Sequence, residues 1–389
     1  MPGPSRRLVA LMAMSCALAV STLYFHQPLL AQIATSFGLA PAQASLVATL
    51  TQLGYALGLV LIVPLADCRQ PRTLACAAIA ANALALLASA GATQFVLLCA
   101  ASFAVGVTAI TAQIIIPTLA GVTAPAARGQ VVGSLLGGLS TGLLLARTVG
   151  GVLGDQMGWR AVFALAALVD ALLLLVVAMA LPRVAHPVQA SYLTLLRSLP
   201  RLLREEPMLR FSAACGFMMF AAFSALWASL AALLTAPPYG FSPASIGLLG
   251  LAAAFGILAS PRIGALADHL GTPRTLMLGV AALLVGFALV AAGGHSLVAL
   301  IAGMVLLDLG NRAGLLANQA RIYALRAEAR SRLNTVFMGS YFLGGATGAA
   351  IGSYGAHHGG WAGLALVGAV FTVGAGLINA WSVLGIRKV

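Results

Sequence analysis

Charge is what this chain has least of. Of its 389 residues, 7% are Asp, Glu, Lys or Arg, against about 25% in an ordinary soluble domain. A water-soluble globule is excluded, because there is too little polar surface to cover a chain that is 61% hydrophobic with a mean hydropathy of +1.02. Intrinsic disorder is excluded by the same excess of apolar residues. Cysteine is also sparse. The five thiols, Cys16, Cys68, Cys76, Cys99 and Cys215, contain no CxxC pair, which excludes a disulfide scaffold and leaves small reduced residues in apolar runs. No GxxxxGK[ST] loop is present to cradle ATP, and no HExxH, zinc-type cysteine pair or Ser/His/Asp grouping supports a hydrolytic site. His357-His358 is an adjacent pair in an outer loop, read as solvated. No cofactor and no metal are expected.

What is abundant is the long apolar run. Twelve of them fall at about 8–32, 45–66, 73–91, 95–119, 130–153, 160–181, 209–234, 244–265, 275–292, 296–318, 334–355 and 361–384. A bilayer crossing takes about 20 such residues, so the chain is read as an all-α membrane protein of twelve transmembrane helices. Many runs are rich in Gly and Ala, which lets helix backbones approach closely where no hydrophobic effect drives helices together. The N-terminal run, with Arg6 and Arg7 before it, continues to Leu30 without a cleavage pattern. It is read as a retained first span and not as a signal peptide.

The formal charge is +13, from 21 Lys+Arg against 8 Asp+Glu. The bases follow topology. With a cytoplasmic N-terminus, Arg6, Arg7, Arg69, Arg72, Arg128, Arg183, Arg197, Arg201, Arg204, Arg210, Arg274, Arg321, Arg326, Arg330, Arg332, Arg387 and Lys388 all lie inside, and the outer loops keep only Arg160. This is the positive-inside pattern. It predicts both termini in the cytoplasm of a bacterial plasma membrane and removes nucleic acid as a partner. The longest polar stretch, 182–208, places Leu193, Leu196, Leu199, Leu202 and Leu203 near one helical face with arginines elsewhere. That is a basic amphipathic helix at the inner membrane surface, crossed by Pro200, joining two halves.

The halves repeat. "PRTL" occurs at 71–74 and at 273–276, an offset of 202, each time after a "LAD" containing Asp67 or Asp268. The same offset relates Gly137 to Gly339, Gly142 to Gly344 and Trp159 to Trp361. Coincident matches at one offset define a duplicated six-span unit. The expected division is an N-terminal six-helix bundle at 1–182, a cytoplasmic linker at 183–207 and a C-terminal six-helix bundle at 208–389. In such transporters the substrate site lies between the halves near the midplane.

The loop between spans 2 and 3, "VPLADCRQPRTL", resembles the Gly-x-Leu-Ala-Asp-Arg-x-Gly-Arg-Arg motif of the major facilitator superfamily. Leu65, Ala66, Asp67 and Arg72 match, while Val63, Cys68 and Gln70 depart from it. The second copy, "GALADHLGTPRTL", keeps Gly264, Asp268, Gly271 and Arg274. The resemblance spans essentially the whole chain. It implies a gating role for Asp67 with Arg72 and for Asp268 with Arg274, as breakable cytoplasmic charge contacts. Span 5, "GLLLARTVGG", is similar to the family's antiporter motif at Gly142, Gly150 and Gly151, but carries Ala146 and Arg147 where Gly-Pro is expected. The arginine that the family carries in span 4 is missing. "LYFHQPLL", "TQLGYALGLVLIVPLAD" and "LLARTVGG" together resemble bacterial efflux permeases near the drug:proton antiporter and sugar-efflux branches.

An ionisable group inside a span costs several kcal/mol unless paired or hydrated, and is a functional candidate for that reason. Five stand out. Arg147 can bind an anionic group or hold a carboxylate ionised. His26 is able to titrate near neutral pH and carry a proton. Asp308 and Arg312 sit one helical turn apart in span 10, where they pair and are open to disruption by protonation. Asp170, in span 6, is read as structural. Tyr24, Gln27, Gln52, Tyr55, Gln113, Trp227 and Tyr341 are candidate cavity-lining residues, with Asn318, Gln319 and Asn334 nearer the inner side. Phe217, Met218, Met219, Phe220 and Phe223 open span 7 and are read as packing.

These features predict a monomeric secondary active transporter working by alternating access, with proton-coupled efflux of a small drug-like or sugar-like compound. A proton-coupled importer of a small metabolite is the alternative. An intramembrane enzyme would need its polar groups clustered at one depth, and the sequence scatters them.

Overall fold

The computed structural model describes residues 4–183, 191–326 and 329–386, apart from the side chains of 125–126, 253, 256, 260–261, 264–268 and 384–386. Nearly all of it is helix, the form in which a lipid-embedded backbone satisfies its own hydrogen bonds. Among the described residues nine stretches are long and apolar enough to cross a membrane. One of these, Arg330–Val383, holds spans 11 and 12, turned back at Gly360, whose φ of +55° is left-handed and suits glycine alone. Gly158, with φ +78°, makes the matching turn between spans 5 and 6. The two glycines are 360 − 158 = 202 residues apart, the offset of the sequence repeat.

Spans 1 and 8 complete the set of twelve as broken helices. Span 1 runs Arg6–Ser21, with the Ser5 hydroxyl accepting from the Leu8 amide. It then loses α geometry and resumes through the 3-10 turn Gln27–Leu29 into Leu30–Ser36. Pro28 lies inside that turn, where its missing donor and fixed φ are tolerated. Span 8 is Pro243–Leu248, a 3-10 turn at Leu249–Ala252, then Ala253–Leu270. The other spans are Pro41–Asp67, Pro71–Ala90, Phe95–Val122, Ala127–Met157, Trp159–Ala180, Pro207–Thr235, Thr272–Gly294 and Leu297–Tyr323. Twelve crossings bring the start of span 1 and the end of span 12 to one face, here the terminal face.

Within each half, glycines bring helices into backbone contact. A Cβ on Gly138 or Gly142 of span 5 would collide with the carbonyls of Ala13 or Ala17 of span 1. In the other half a Cβ on Gly344 or Gly348 of span 11 would meet Phe217 or Ala221 of span 7 in the same way. Gly142 and Gly344, which the repeat pairs in sequence, therefore do the same job in space. Spans 2 and 4 meet through Gly54, Gly58 and Gly106. Such contacts let dispersion act over long stretches of backbone, the main attraction between helices in lipid.

The halves meet along different seams. Near the face opposite the termini, Gly151 of span 5 abuts Pro243 and Gly247 of span 8, and the Thr148 hydroxyl donates to the Gly247 carbonyl at 3.0 Å. Toward the terminal face, Gly339 of span 11 packs on Val60 of span 2. The linker helix, Tyr192–Glu205, runs through Pro200 without ending. Its Tyr192 hydroxyl donates to the Leu61 carbonyl at 2.6 Å, and Leu199 and Leu202 are buried while Leu193 is exposed. The amphipathic face thus covers the ends of spans in both halves. Arg326, in the loop between spans 10 and 11, pairs with Glu205 at 3.2 Å and Glu206 at 2.6 Å, tying the linker to the C-terminal half.

Candidate substrate and ion-coupling site

The break in span 1 sets the site. Where the helix stops, Tyr24, His26 and Gln27 leave the regular helical surface and are buried between the halves. Arg147 reaches them from span 5. Its Nε donates to Gln27 Oε1 at 2.7 Å, and its guanidinium carbon lies 3.8 Å from the ring centroid of Trp227 and 5.0 Å from that of Tyr24. Trp227 belongs to span 7, so this cation–π contact, a class worth about 2 kcal/mol when desolvated, joins the two halves. The backbone of span 8 closes over the same arginine at Gly250.

Opposite stands span 10. Arg312 Nε donates to Asp308 Oδ2 at 3.0 Å, the one-turn pairing expected from their spacing. Arg147 is within electrostatic reach of both. Asn311, in the same turn, accepts from the Tyr341 hydroxyl at 3.1 Å. Tyr341 stacks on Phe220 at a centroid separation of 4.0 Å and an angle of 13°. Tyr24, His26, Gln27, Arg147, Trp227, Asp308, Asn311 and Tyr341 are each at most 6% exposed. The arrangement holds the Arg147 guanidinium between the rings of Tyr24 and Trp227 and sets the Asp308–Arg312 pair, its arginine partly exposed, within its electrostatic reach.

A second polar layer lies beside it. Gln52 of span 2 donates to the Ser224 hydroxyl of span 7 at 2.7 Å, again across the halves. Gln113 of span 4 donates to the Tyr55 hydroxyl at 3.3 Å, and Tyr55 meets Phe342 of span 11 edge-on at 4.5 Å. Two buried atoms here lack a partner among the described residues, His26 Nε2 and Gln52 Oε1, in a setting where an unmet polar group costs free energy. Away from the site, Gln319 and Tyr323 donate to Asn334 Oδ1 at 3.4 and 2.9 Å, and Asn318 donates to Gly314 of its own helix.

Charges on the terminal face are arranged differently from the motif's expectation. The cation acting on Asp67 is Arg332, at the start of span 11 in the other half, and no ion pair joins Asp67 to Arg72 among the described residues. Arg274 lies exposed at the start of span 9. The side chain of Asp268 is outside the described residues. Asp170 is buried away from the central site, against spans 1 and 5. Sequence reasoning missed Asn311, Ser224, Phe220 as a stacking partner, and Arg262, exposed on span 8. Asn311 and Arg262 carried the signal already used for their neighbours, a polar group within a span. Ser224 carried none.

The comparisons with known proteins decide the family. The profile of the Major Facilitator Superfamily matches residues 9–226 and 212–388. The chain belongs to the major facilitator superfamily. It is a membrane transporter and not an enzyme. Among its relatives, the uncharacterized transporter YgaY of Escherichia coli is 38% identical over 369 residues, covering 95% of this chain and 94% of that protein. The Streptomyces coelicolor protein SCO4007, assigned as a transporter, is 32% identical over 99% of this chain and 89% of its own. Solved superfamily structures share the fold at low identity. The nucleoside transporter NupG superposes with a TM-score of 0.76 at 15% identity, covering 96% of this chain and 97% of that one. A bacterial homologue of the lysosomal transporter Spinster, inward-facing and occupied, gives 0.74 at 17% identity, covering 98% and 97%. A superfamily transporter embeds in the bilayer and carries a small molecule, which gives this mid-membrane cluster its context.

Proposed function

We propose that this transporter exports a small organic compound from the bacterial cytoplasm in exchange for protons. Its termini and linker are cytoplasmic and it resides in the plasma membrane, as the distribution of arginines argues. The observation that carries the reading is the cluster of buried Arg147, His26 and Asp308 with the partly buried Arg312, assembled from both halves at the centre of the fold.

In this mechanism Asp308 holds the coupling proton. Ionised, it pairs with Arg312; protonated, it releases that arginine, and the electrostatics around Arg147 change with it. Arg147 binds the substrate. Its Nε is committed to Gln27, and among the described residues nothing else accepts from its guanidinium, so the two terminal nitrogens serve an anionic or strongly accepting group of the cargo. Trp227, Tyr24 and Tyr341 supply flat apolar walls. His26, with Nε2 unpartnered, relays the proton or donates to the substrate. Proton and substrate thus bias one equilibrium between two arrangements of the halves. On the cytoplasmic face Asp67, with Arg332 of the other half within electrostatic reach, serves the gate together with Arg72, Asp268 and Arg274.

Everted vesicles from an overexpressing strain test this. Adding a transported compound to vesicles holding a proton gradient should release protons, and vesicles carrying Arg147→Ala should not respond. A fully active Arg147→Ala transporter would remove that residue from the site.

A further inference from the structure

Asp170 is unused by this mechanism. It lies midway along Trp159–Ala180, about 16 Å from the start of the helix at 1.5 Å per residue. It is 3% exposed, and no hydrogen bond or ion pair to it exists among the described residues. A carboxyl group in that position is expensive unless something answers it.

It lines a groove. Spans 1, 5 and 6 enclose a space of about 250 Å³ on the outside of the bundle, on the far side of span 5 from Arg147. The walls are apolar: Leu18, Leu145, Val149, Leu153, Leu165 and Val169. Leu145, Val149 and Leu165 are exposed, so the groove opens onto lipid. Asp170 is its one charged lining residue, and Ser21, Thr22 and Thr141 are the other polar ones. Each of those hydroxyls donates to a carbonyl of its own helix, which leaves them as acceptors facing the cavity. No donor answers the carboxylate from the protein side.

We infer that the groove between spans 1, 5 and 6 is a second binding site, entered from the bilayer, for a lipophilic amine whose ammonium group docks on Asp170. Charge complementarity selects the head: acceptors only, with one anion and no competing cation. The aliphatic walls select a hydrocarbon body. A neutral alcohol of equal length gains the walls but not the charge, and a carboxylate is repelled by Asp170. The site is separate from the central one, because Arg147 projects from span 5 toward Trp227 and does not line the groove.

The probe is a tritiated long-chain alkylamine, measured against the alcohol of the same chain length on the full-length transporter in nanodiscs. Wild type should bind the amine saturably. Asp170→Asn should weaken this at least tenfold and Asp170→Glu should restore most of it. Val149→Trp, which fills the groove, should abolish it. Arg147→Ala should leave it unchanged, with gel filtration reporting the fold of each variant. Equal amine binding by wild type and Asp170→Asn would overturn the inference. So would amine and alcohol binding alike, or loss of amine binding in a folded Arg147→Ala protein.

Discussion

The contacts inside each half and the contacts between the halves are built from different materials. Inside, spans 1 and 5 and spans 7 and 11 touch backbone to backbone at Gly138, Gly142, Gly344 and Gly348, leaving no room for a side chain. Between the halves, side chains carry the contacts through the centre, Arg147 on Trp227, Gln52 on Ser224 and Tyr55 on Phe342, and backbone meets backbone at the far end, where Gly151 abuts Pro243 and Gly247. Backbone contacts of the first kind cannot slide without collision. Contacts of the second kind exchange partners by rotamer changes and cost about 0.5–1.5 kcal/mol per neutral hydrogen bond. The contrast teaches where the molecule is rigid and where it switches, the division that alternating access between two bodies requires.

The sharpest way to break the comparison is to overfill a backbone contact. Gly142→Leu or Gly348→Leu should lose the folded protein outright, read as collapse of the monodisperse gel-filtration peak in detergent. Gly133→Ala, where a Cβ meets nothing within 4 Å, should leave that peak intact. Comparable behaviour of the two classes would dissolve the distinction. A seam residue should show the opposite pattern. Arg147→Ala should keep the fold and reduce transport at least a hundredfold, measured as substrate flux into everted vesicles.

Gln52→Ala removes one hydrogen bond across the seam. It should shift the balance between the two arrangements about two- to tenfold, as about 0.5–1.5 kcal/mol implies, read by thiol accessibility of cysteines placed on either face. An unmoved balance would make Gln52 a packing residue. The smallest effect belongs to the linker. Arg201 and Arg326 hold Glu205 below the ordinary carboxylate range, so its ion pairs stay formed across neutral pH. Their contribution is present above that range and fades only as acid protonates Glu205. The melting temperatures of wild type and Glu205→Gln should therefore differ little, with a difference constant between about pH 6 and 8, as expected of exposed pairs.

The parts of the fold legible in the sequence were those that composition alone enforces. Apolar length located the spans to within a few residues, and the 202-residue offset matched Gly142 with Gly344 before either had a partner. Breaks within spans were partly visible. In span 1 a proline, Pro28, sits in the 3-10 turn, whereas span 8 interrupts at Leu249–Ala252 with no proline there to announce it. At the site, Arg147, Asp308 and Arg312 stood out because a charge in lipid needs a reason. Their neighbours did not. Phe220 reads as packing until it is found stacked on Tyr341, and Ser224 is one serine among many until Gln52 reaches it from the other half. Asp67 looked to Arg72, five residues on, but the cation acting on it is Arg332, from the opposite half of the chain, and local spacing carries no trace of that.

The central claim is that Asp308 couples the proton while Arg147 holds the cargo. Reconstituted Asp308→Asn protein, with a transported compound identified from a chemical library, tests it most directly. The account predicts that exchange of labelled for unlabelled substrate persists across the membrane while accumulation driven by a pH gradient falls to background. Gradient-driven accumulation at the wild-type level by a folded Asp308→Asn protein would contradict it.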